Sequence, residues 1–269
     1  MRQSLFISVL LAIFVSTALS QSPREINRTI PLKLDGHLVI DTYKGSISVA
    51  THDKPQVEVY VKIESDEVDS RDAERDVADT EIEFHSTDQE VRIHTNYRNI
   101  ERHNHHDFWD WITDPWEQSS SLPLVHYTIK MPRNAELKIK DYKSDSHIEG
   151  LKSYLTLNTY KGNVEVFDLD GGIDLETYKG DVRTSFTQLK NDSRFETYKG
   201  KIAVNVPKQT GFELQTDFGR RVEFSSDFDV VTHERNRKHH QYDYSGKFNG
   251  GGPRIELNSE KGDIRLRSK

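Results

Sequence analysis

Apolar and polar residues alternate along short stretches of the chain. In Leu155–Leu157, Ile173–Leu175 and Ile202–Val206, every second residue is apolar and the residues between them are polar or small. A period of two places the apolar side chains on one face of a β-strand and the others on the opposite face. The second half of the chain is therefore predicted to consist of short strands, each with one buried face.

The first half of the chain also alternates, but less regularly. Val57–Ile63, Val91–Ile93 and Val125–Ile129 each have apolar residues at every second position. The highly charged segment Asp69–Ala78 lacks this alternation and is predicted to form one short helix. Met131–Asn134 contains a proline and an asparagine and is predicted to be the turn that separates this region from the second half.

A tetrapeptide with the sequence Thr-Tyr-Lys-Gly recurs between these strands. Its fourth position returns after 18, 18, 20 and 19 residues from Ser144 to Gly219. The complete and degenerate copies are Thr42–Gly45, Asp141–Ser144, Thr159–Gly162, Thr177–Gly180, Thr197–Gly200, Thr216–Gly219 and Ser259–Gly262. Internal repeats of this length are typical of solenoids, in which each repeat is one coil of the chain.

Two strands and two turns in each repeat predict an all-β fold. Specifically, they predict a β-solenoid of stacked two-stranded coils of about 18–20 residues, preceded by an irregular strand-rich N-terminal region. One coil cannot bury its apolar face alone, so stacking on the next coil supplies the core. The corner glycines Gly162, Gly180 and Gly200 are predicted to have positive φ, because glycine adopts that backbone conformation without steric cost.

Two departures from the repeat occur near the C terminus. Arg220 and Arg221 place one extra residue before Val222, which predicts a β-bulge. Segment Ser226–Gly252 is rich in His, Arg, Gly and Tyr and interrupts the repeat before the last coil. This segment is predicted to be a projecting loop or hairpin.

The chain divides into three parts. Residues 1–20 have a positively charged start, an apolar run at Leu5–Val15 and small residues at the expected cleavage site, which is the pattern of a signal peptide. Residues 21–132 are the strand-rich N-terminal region and residues 133–269 the solenoid, together predicted to be one elongated domain. The protein is therefore predicted to be exported and to act in the periplasm, at the cell surface or outside the cell.

Composition narrows the classes of partner and chemistry. The chain has no cysteine, which excludes disulfides and a thiol nucleophile. Its formal net charge of −7 weighs against nucleic acid as a partner, since phosphate binding requires a basic surface. No segment after residue 20 is long and apolar enough to be predicted to span a membrane.

The order of strands and corners resembles a known family. Tyr127–Pro132, then Leu137–Ile139 and the alternating strands with glycine corners, are similar to DUF4097, a family of adhesin-like proteins. The resemblance covers nearly all of the chain after the signal peptide and depends on strands and corners, with no catalytic signature. It implies a β-solenoid of the bacterial surface or envelope.

The recurring tyrosines and lysines are the first candidate site. Strands stacked at ~4.8 Å place equivalent residues of successive coils in a column. The predicted ligand-binding residues are Tyr142, Tyr160, Tyr178 and Tyr198, with Lys143, Lys161, Lys179 and Lys199 beside them. Aromatic rings beside cations could hold a sugar chain or an acidic polymer. The favoured interpretation of the same pattern is a structural ladder whose lysines are neutralised by Glu176, Glu196 and Asp181, since solenoids use such ladders for stability alone.

Histidines and acids form the next candidates, for metal binding. The histidine groups are His103, His105 and His106 beside Asp107, and His233, His239 and His240 near Glu234 and Asp243. Such side chains can bind Zn²⁺ or Cu²⁺, but this spacing fixes no ligand geometry, so solvated polar loops are the favoured interpretation. Asp168–Asp174 is similar to part of a calcium loop but lacks the closing Glu, and a tight turn is predicted there.

Tryptophan occurs only in one segment of the chain, at positions 109, 111 and 116. Trp109, Trp111 and Trp116 could form a patch that touches sugar or membrane. They could equally cover one end of the solenoid, and this second interpretation is favoured because a solenoid terminus must be shielded from water.

Catalytic motifs do not accompany these candidates. The chain lacks Gly-x-Ser-x-Gly, a phosphate-binding glycine loop and a dinucleotide fingerprint. It is therefore predicted to be a non-enzymatic adhesin-like protein that needs no cofactor and interacts with a polysaccharide or protein of the cell surface or envelope. The alternative is a carbohydrate-binding module or a polysaccharide-active enzyme, since only the fold could bring paired carboxylates together.

Overall fold

A computed structural model describes residues 23–65, 71–97, 122–236 and 241–269. The predicted signal peptide (residues 1–20), the three tryptophans and the histidines at positions 103, 105, 106, 239 and 240 lie outside the described residues. The interpretations that rest on those residues therefore stay predictions.

Seventeen strands and one helix make up the described part of the chain. In chain order they are β1 (Arg24–Pro31), β2 (His37–Asp41), β3 (Lys44–His52), β4 (Gln56–Glu64), α1 (Arg71–Asp79), β5 (Glu81–Ser86), β6 (Glu90–Asn96), β7 (Leu124–Pro132), β8 (Glu136–Asp141), β9 (Lys143–Glu149), β10 (Tyr154–Lys161), β11 (Val164–Lys179), β12 (Val182–Leu189), β13 (Ser193–Val206), β14 (Phe212–Ser226), β15 (Val231–Asn236), β16 (Gln241–Phe248) and β17 (Arg254–Ser268). The short helix α1 confirms the helix predicted from the charged segment. It is not long and apolar enough to cross a membrane, and the described residues contain no other candidate span.

Neighbouring coils of the solenoid pair in parallel and in register. Thr159 aligns with Thr177 before the corner, and Val164 aligns with Val182 after it. This register keeps the apolar members of every coil on the same interior face, because a shift by one residue would turn them outward. The predicted all-β solenoid of stacked two-stranded coils is confirmed.

The core lies between the two strand layers of the stack. Leu157, Leu175 and Phe195 come from strands that precede the corners, and Val164 and Ile202 from strands that follow them, and all are fully buried. Each coil contributes only a few apolar side chains, so the hydrophobic interior becomes continuous only when the coils stack.

The coils do not stack in the order in which they occur in the sequence. The C-terminal strand β17 lies between β13 and β14, with Ile264 aligned to Ile202 on one side and to Phe224 on the other. The coil built from β14 is therefore the outer one, although it precedes β17 along the chain. The long segment between β14 and β17, which contains β15 and β16, gives the chain enough length for this reversal.

The N-terminal half continues the same parallel stack. Strand β2 lies between β8 and β6, with Leu38 aligned to Leu137 and to Val91. Strand β3 lies between β9 and β7 in the same way, with Ile47 aligned to Ser146 and to Tyr127. Strands β1, β4 and β5 then add antiparallel pairs at this end of the stack.

A hairpin covers the opposite end of the stack. Strands β15 and β16 pair antiparallel, and β16 also pairs antiparallel with β14. The Phe248 ring lies 4.7 Å from Phe212 and 5.2 Å from Phe228, measured between ring centroids. The predicted hairpin is confirmed, but it folds back over the outer coil, because the apolar face of that coil would otherwise meet water.

Close approach between coils, rather than positive φ, explains two of the corner glycines. Gly162 has φ of 154°, whereas the φ angles of Gly180 and Gly200 are not positive, so the prediction is wrong for these two residues. A Cβ atom at Gly180 would lie 1.9 Å from the carbonyl oxygen of Gly162, and one at Gly200 would lie 1.9 Å from that of Gly180. No side chain fits where the backbones of adjacent coils come so close.

The predicted bulge in β14 is also confirmed. Phe218 aligns with Ser259 and Arg221 with Lys261, so the register shifts between them. Two residues of β14 therefore oppose a single residue of β17. A bulge of this kind bends the strand and redirects its side chains.

Candidate functional site

Alternation along the strands decides which corner residues face outward. Thr159, Thr177 and Thr197 point into the stack and are at most 7% exposed. The tyrosine that follows each threonine therefore points away from the core, and Tyr178 and Tyr198 are 37% and 41% exposed. The predicted outward orientation of the tyrosines is confirmed.

The outward tyrosines stack face to face in one column. The centroid distances are 4.9 Å for Tyr142 and Tyr160, 4.8 Å for Tyr160 and Tyr178, and 4.8 Å for Tyr178 and Tyr198. The ring planes in these pairs differ by 12°, 2° and 5°. Ring spacing equals strand spacing, so the backbone ladder sets the geometry of the column.

Tyr43 extends this column and was missing from the predicted set. Its ring lies 4.6 Å from that of Tyr142 with an interplanar angle of 6°, and Tyr97 packs edge-on against it at 6.2 Å. Tyr43 carries the same tetrapeptide as the solenoid corners, which is the signal that could have found it. The contact was not predicted because Tyr43 lies far from Tyr142 in the sequence. The tyrosine column is defined here as Tyr43, Tyr142, Tyr160, Tyr178 and Tyr198.

Burial changes the acidity of the inner end of the column. Desolvation raises the pKa of Tyr43 far above its ordinary value, and the neighbouring Tyr142 adds to the rise. Desolvation also raises the pKa of Tyr142. The hydroxyl groups of Tyr43 and Tyr142 are therefore neutral in the physiological range.

A row of cations runs beside the tyrosines. Lys161, Lys179 and Lys199 align in register, and the same strand pairing continues the row in both directions. The cation row is defined here as Lys44, Lys143, Lys161, Lys179, Lys199, Lys261 and Arg221. Six steps of ~4.8 Å make it about 29 Å long. Three of its members, Lys44, Lys261 and Arg221, were not predicted.

The acids that were predicted to neutralise the lysines do not do so. Glu196 forms an ion pair with Arg194, and Asp181 accepts a hydrogen bond from the backbone N–H of Lys201. Within the part of the chain that the structure describes, the following members of the row form no ion pair: Lys143, Lys161, Lys179, Lys199 and Lys261. These five lysines therefore keep their positive charge.

Three of the lysine ammonium groups lie over tyrosine rings instead. Lys161 Nζ is 5.0 Å from the ring centroid of Tyr160, and Lys179 Nζ is 5.3 Å from that of Tyr178. Lys261 Nζ is 4.8 Å from the Tyr198 centroid. These cation–π contacts hold each ammonium group at the aromatic surface without neutralising it.

The other predicted sites do not assemble among the described residues. The described residues contain no group of three or more His, Asp or Glu side chains placed to hold a metal ion. His233 Nε2 lies 2.7 Å from Ser245 Oγ. Asp170 pairs with Lys190 at 2.6 Å and Asp168 with Lys269 at 3.4 Å, so these two carboxylates are engaged by lysines. Asp168 has φ of 53° and lies inside β11, where the register shifts between Val166 and Leu169, so the structure has a strand irregularity where a tight turn was predicted.

Asp141 is a buried acid at the corner position that Thr159, Thr177 and Thr197 occupy in the following coils. It aligns with Thr159 and is 1% exposed. Burial raises its pKa to about 7, since the charged form loses its hydration. The hydroxyls of Thr159 and Ser144 partly oppose this rise, although neither makes a well-formed hydrogen bond to the carboxylate oxygens. The carboxyl group is thus a titrating group inside the stack.

A family comparison agrees with this architecture. The Toastrack DUF4097 family profile matches residues 30–267, which include β2 to β16 and most of β17. This chain belongs to the Toastrack DUF4097 family. The resemblance predicted from the corners and strands is confirmed, and every member of the tyrosine column and cation row lies inside the Toastrack match.

Two of the solved structures similar to this Toastrack chain are bacterial proteins. One, provisionally named a cell adhesion protein, is from Clostridium sporogenes; it has 11% identity and a TM-score of 0.49, and the alignment covers 92% of this chain and 100% of that one. Another, provisionally named an adhesin, is from Bacteroides fragilis, with 14% identity, a TM-score of 0.44 and coverage of 93% and 99%. No curated protein matches the chain in sequence.

Proposed function

We propose that the protein is a non-enzymatic, extracytoplasmic binding protein that holds an acidic polysaccharide of the cell surface or envelope along its tyrosine column and cation row. The observation that supports this proposal is the set of lysines without an ion-pair partner beside a continuous stack of rings, of which Tyr178 and Tyr198 are exposed. A structural ladder alone would require the rings but not the uncompensated charge.

Electrostatics favours an anionic partner for this surface. Like charges placed one strand apart repel each other, because two unit charges at 4 Å interact by ~1 kcal/mol even in water. A bound polyanion would replace this repulsion with attraction along the whole row. The aromatic faces favour a sugar polymer over a flexible acidic peptide, since flat apolar rings pack against the C–H faces of sugar rings.

Repetition gives the surface its affinity for an extended ligand. Each coil that contributes to the tyrosine column offers one tyrosine and one cation at the same position, as in the pairs Tyr160 and Lys161 or Tyr178 and Lys179. A polymer that contacts one coil is thereby held at high effective concentration over the next. Weak contacts at single coils then add up to specific binding of long chains and weak binding of short ones.

Binding of acidic and neutral glycans to the protein tests the proposal. Polygalacturonate should bind and neutral dextran should not, and affinity should fall as salt screens the contacts. The triple variant Lys161→Ala/Lys179→Ala/Lys199→Ala should bind at least tenfold more weakly, whereas Lys161→Ala alone should bind only slightly more weakly.

A matched control separates the row from net charge. Lys130, Lys138 and Lys208 are exposed and form no ion pair within the described residues, and they lie away from the row. Their triple alanine variant loses the same charge and should bind as the parent does. Equal binding by both triple variants would overturn the proposal, and shortening of the polymer during incubation would indicate an enzyme instead.

A further inference from the structure

We propose that a pocket at the end of the tyrosine column binds a single acidic sugar, so that the protein holds the end of its polymer there. This inference rests on the proposed function and adds a second, distinct subsite to it. The pocket has a volume of about 380 Å³, within the range of small-ligand sites. Its walls include Tyr198, Arg220, Arg221, Glu260 and Lys261.

The bulge in β14 creates this pocket. Gly219 and Arg220 together oppose the single residue Glu260, which breaks the one-to-one pairing found in the other coils. A Cβ atom at Gly219 would lie 2.5 Å from the carbonyl oxygen of Glu260, so only glycine fits beside that stretch of backbone. Bulges commonly occur next to binding sites because they redirect side chains. Here the bulge adds an arginine that the other coils lack.

The column ends at the pocket because a carboxylate takes the place of a ring. Lys199 aligns with Lys261, so Glu260 occupies the position that tyrosine has in the preceding coils. Tyr198 is therefore the last ring, and it is 41% exposed. The ammonium group of Lys261 lies over this ring through a cation–π contact worth only ~0.5–1 kcal/mol at exposed sites, so it can turn toward an incoming anion.

The charges of the pocket are suited to an acid that also carries hydroxyl groups. Arg235 is already engaged by Asp217 at 2.7 Å and by Asp243 at 2.8 Å. Arg220 and Arg221 are exposed and have no carboxylate partner within the described residues. Two adjacent guanidinium groups can form paired hydrogen bonds to one carboxylate.

Glu260 distinguishes a sugar acid from a simple anion. A carboxylate in the wall repels phosphate or sulfate but accepts hydrogen bonds from hydroxyl groups. The exposed ring of Tyr198 offers an apolar surface for the C–H face of a sugar. A carboxylated hexose satisfies the arginines, the glutamate and the ring together, whereas an inorganic anion satisfies only the arginines.

Calorimetric titration with D-galacturonic acid tests the pocket, with D-galactose as the neutral match. Galacturonic acid should bind saturably to one site, and galactose at least tenfold more weakly. The variant Arg220→Ala/Arg221→Ala should lose at least tenfold in affinity for galacturonic acid. The control Arg28→Ala/Arg254→Ala removes two exposed arginines outside the pocket and should bind as the parent does.

A second variant guards against misfolding, because Arg221 lies in the strand register. Arg220→Glu changes only the extra residue of the bulge and should also abolish galacturonic acid binding while thermal melts stay unchanged. Galacturonic acid that binds all variants equally, or does not bind the parent, overturns the pocket assignment.

Polygalacturonate binding by the same variants separates the two proposals. If the polymer binds and the lysine triple variant weakens it, while free galacturonic acid does not bind, the pocket is wrong and the proposed function stands. If galacturonic acid binds in the pocket but the polymer does not bind, the pocket stands and the proposed function is wrong.

Discussion

A Cβ atom at Gly180 would lie 1.9 Å from the carbonyl oxygen of Gly162 in the neighbouring coil. The relation repeats along the stack, since a Cβ atom at Gly200 would lie equally close to the carbonyl oxygen of Gly180. The atom that such a Cβ would meet belongs to the backbone of the adjacent coil, which cannot rotate away as a side chain can. The glycine corners therefore allow the coils to approach to strand spacing.

Substitution of a stacked corner glycine is expected to destabilise the whole stack. Gly180→Ala forces the two backbones apart and should cost ~3 kcal/mol or more, at the upper end of the overpacking range. Chemical denaturation monitored by circular dichroism measures the change. Glu176→Ala, an exposed change in the strand that precedes this corner, should stay within ~0.5 kcal/mol of the parent. Similar losses for the two variants would contradict the close-approach explanation.

The middle and the outer end of the tyrosine column should respond differently to truncation. Tyr160 stacks on two rings, whereas Tyr198 stacks on one. Each stacked pair is worth ~0.5–1.5 kcal/mol beyond area burial. Tyr160→Ala should therefore lower the free energy of unfolding by ~1 kcal/mol more than Tyr198→Ala, as measured by denaturant titration. An equal or larger loss for Tyr198→Ala would mean that ring stacking contributes little.

The buried carboxyl group of Asp141 should make stability depend on pH. Its pKa is about 7 in the folded state against 3.8 for an unperturbed aspartate, so the folded state binds more protons between these values. Stability should consequently fall as pH rises from about 4 to about 7 and level off above that. Asp141→Asn should remove this slope and stabilise the protein by roughly 2–4 kcal/mol at pH 8.

Unfolding titrations from pH 4 to pH 8 test this expectation for Asp141. Asp88→Asn is the matched control, because Asp88 is exposed and should leave the slope unchanged. If the parent and Asp141→Asn show the same pH profile, the carboxyl group does not titrate inside the stack.

Repulsion within the cation row should give the protein a specific salt dependence. Salt screens neighbouring lysines, with a Debye length of ~10 Å at 0.1 M, so the melting temperature of the parent should rise from low to moderate salt. The triple variant Lys161→Ala/Lys179→Ala/Lys199→Ala should show a smaller rise. The variant Lys130→Ala/Lys138→Ala/Lys208→Ala has the same net charge and should retain the slope of the parent. Identical slopes for all three proteins would show that repulsion within the cation row does not lower the stability of the protein.

Local patterns in the sequence were enough to predict the coil. Alternation in segments such as Leu155–Leu157 and the corner Thr159–Gly162 act over a few residues, and they determine strand, turn and the side on which each residue lies. The outward tyrosines, the helix α1 and the bulge before Val222 followed from the same local rules. The chemistry of the corner, one tyrosine and one lysine per coil, is likewise written in the tetrapeptide.

Only the tertiary structure decided which coil lies beside which. Every coil presents the same apolar face and the same strand edges, so pairing alone does not distinguish β14 from β17 as the neighbour of β13. The insertion of β17 between β13 and β14 gave the last ring of the column, Tyr198, the neighbour Glu260. The same long-range pairing brought Tyr43 onto Tyr142. These contacts depend on how distant segments pack. A local repeat determines the conformation of each coil but not the order in which the coils stack.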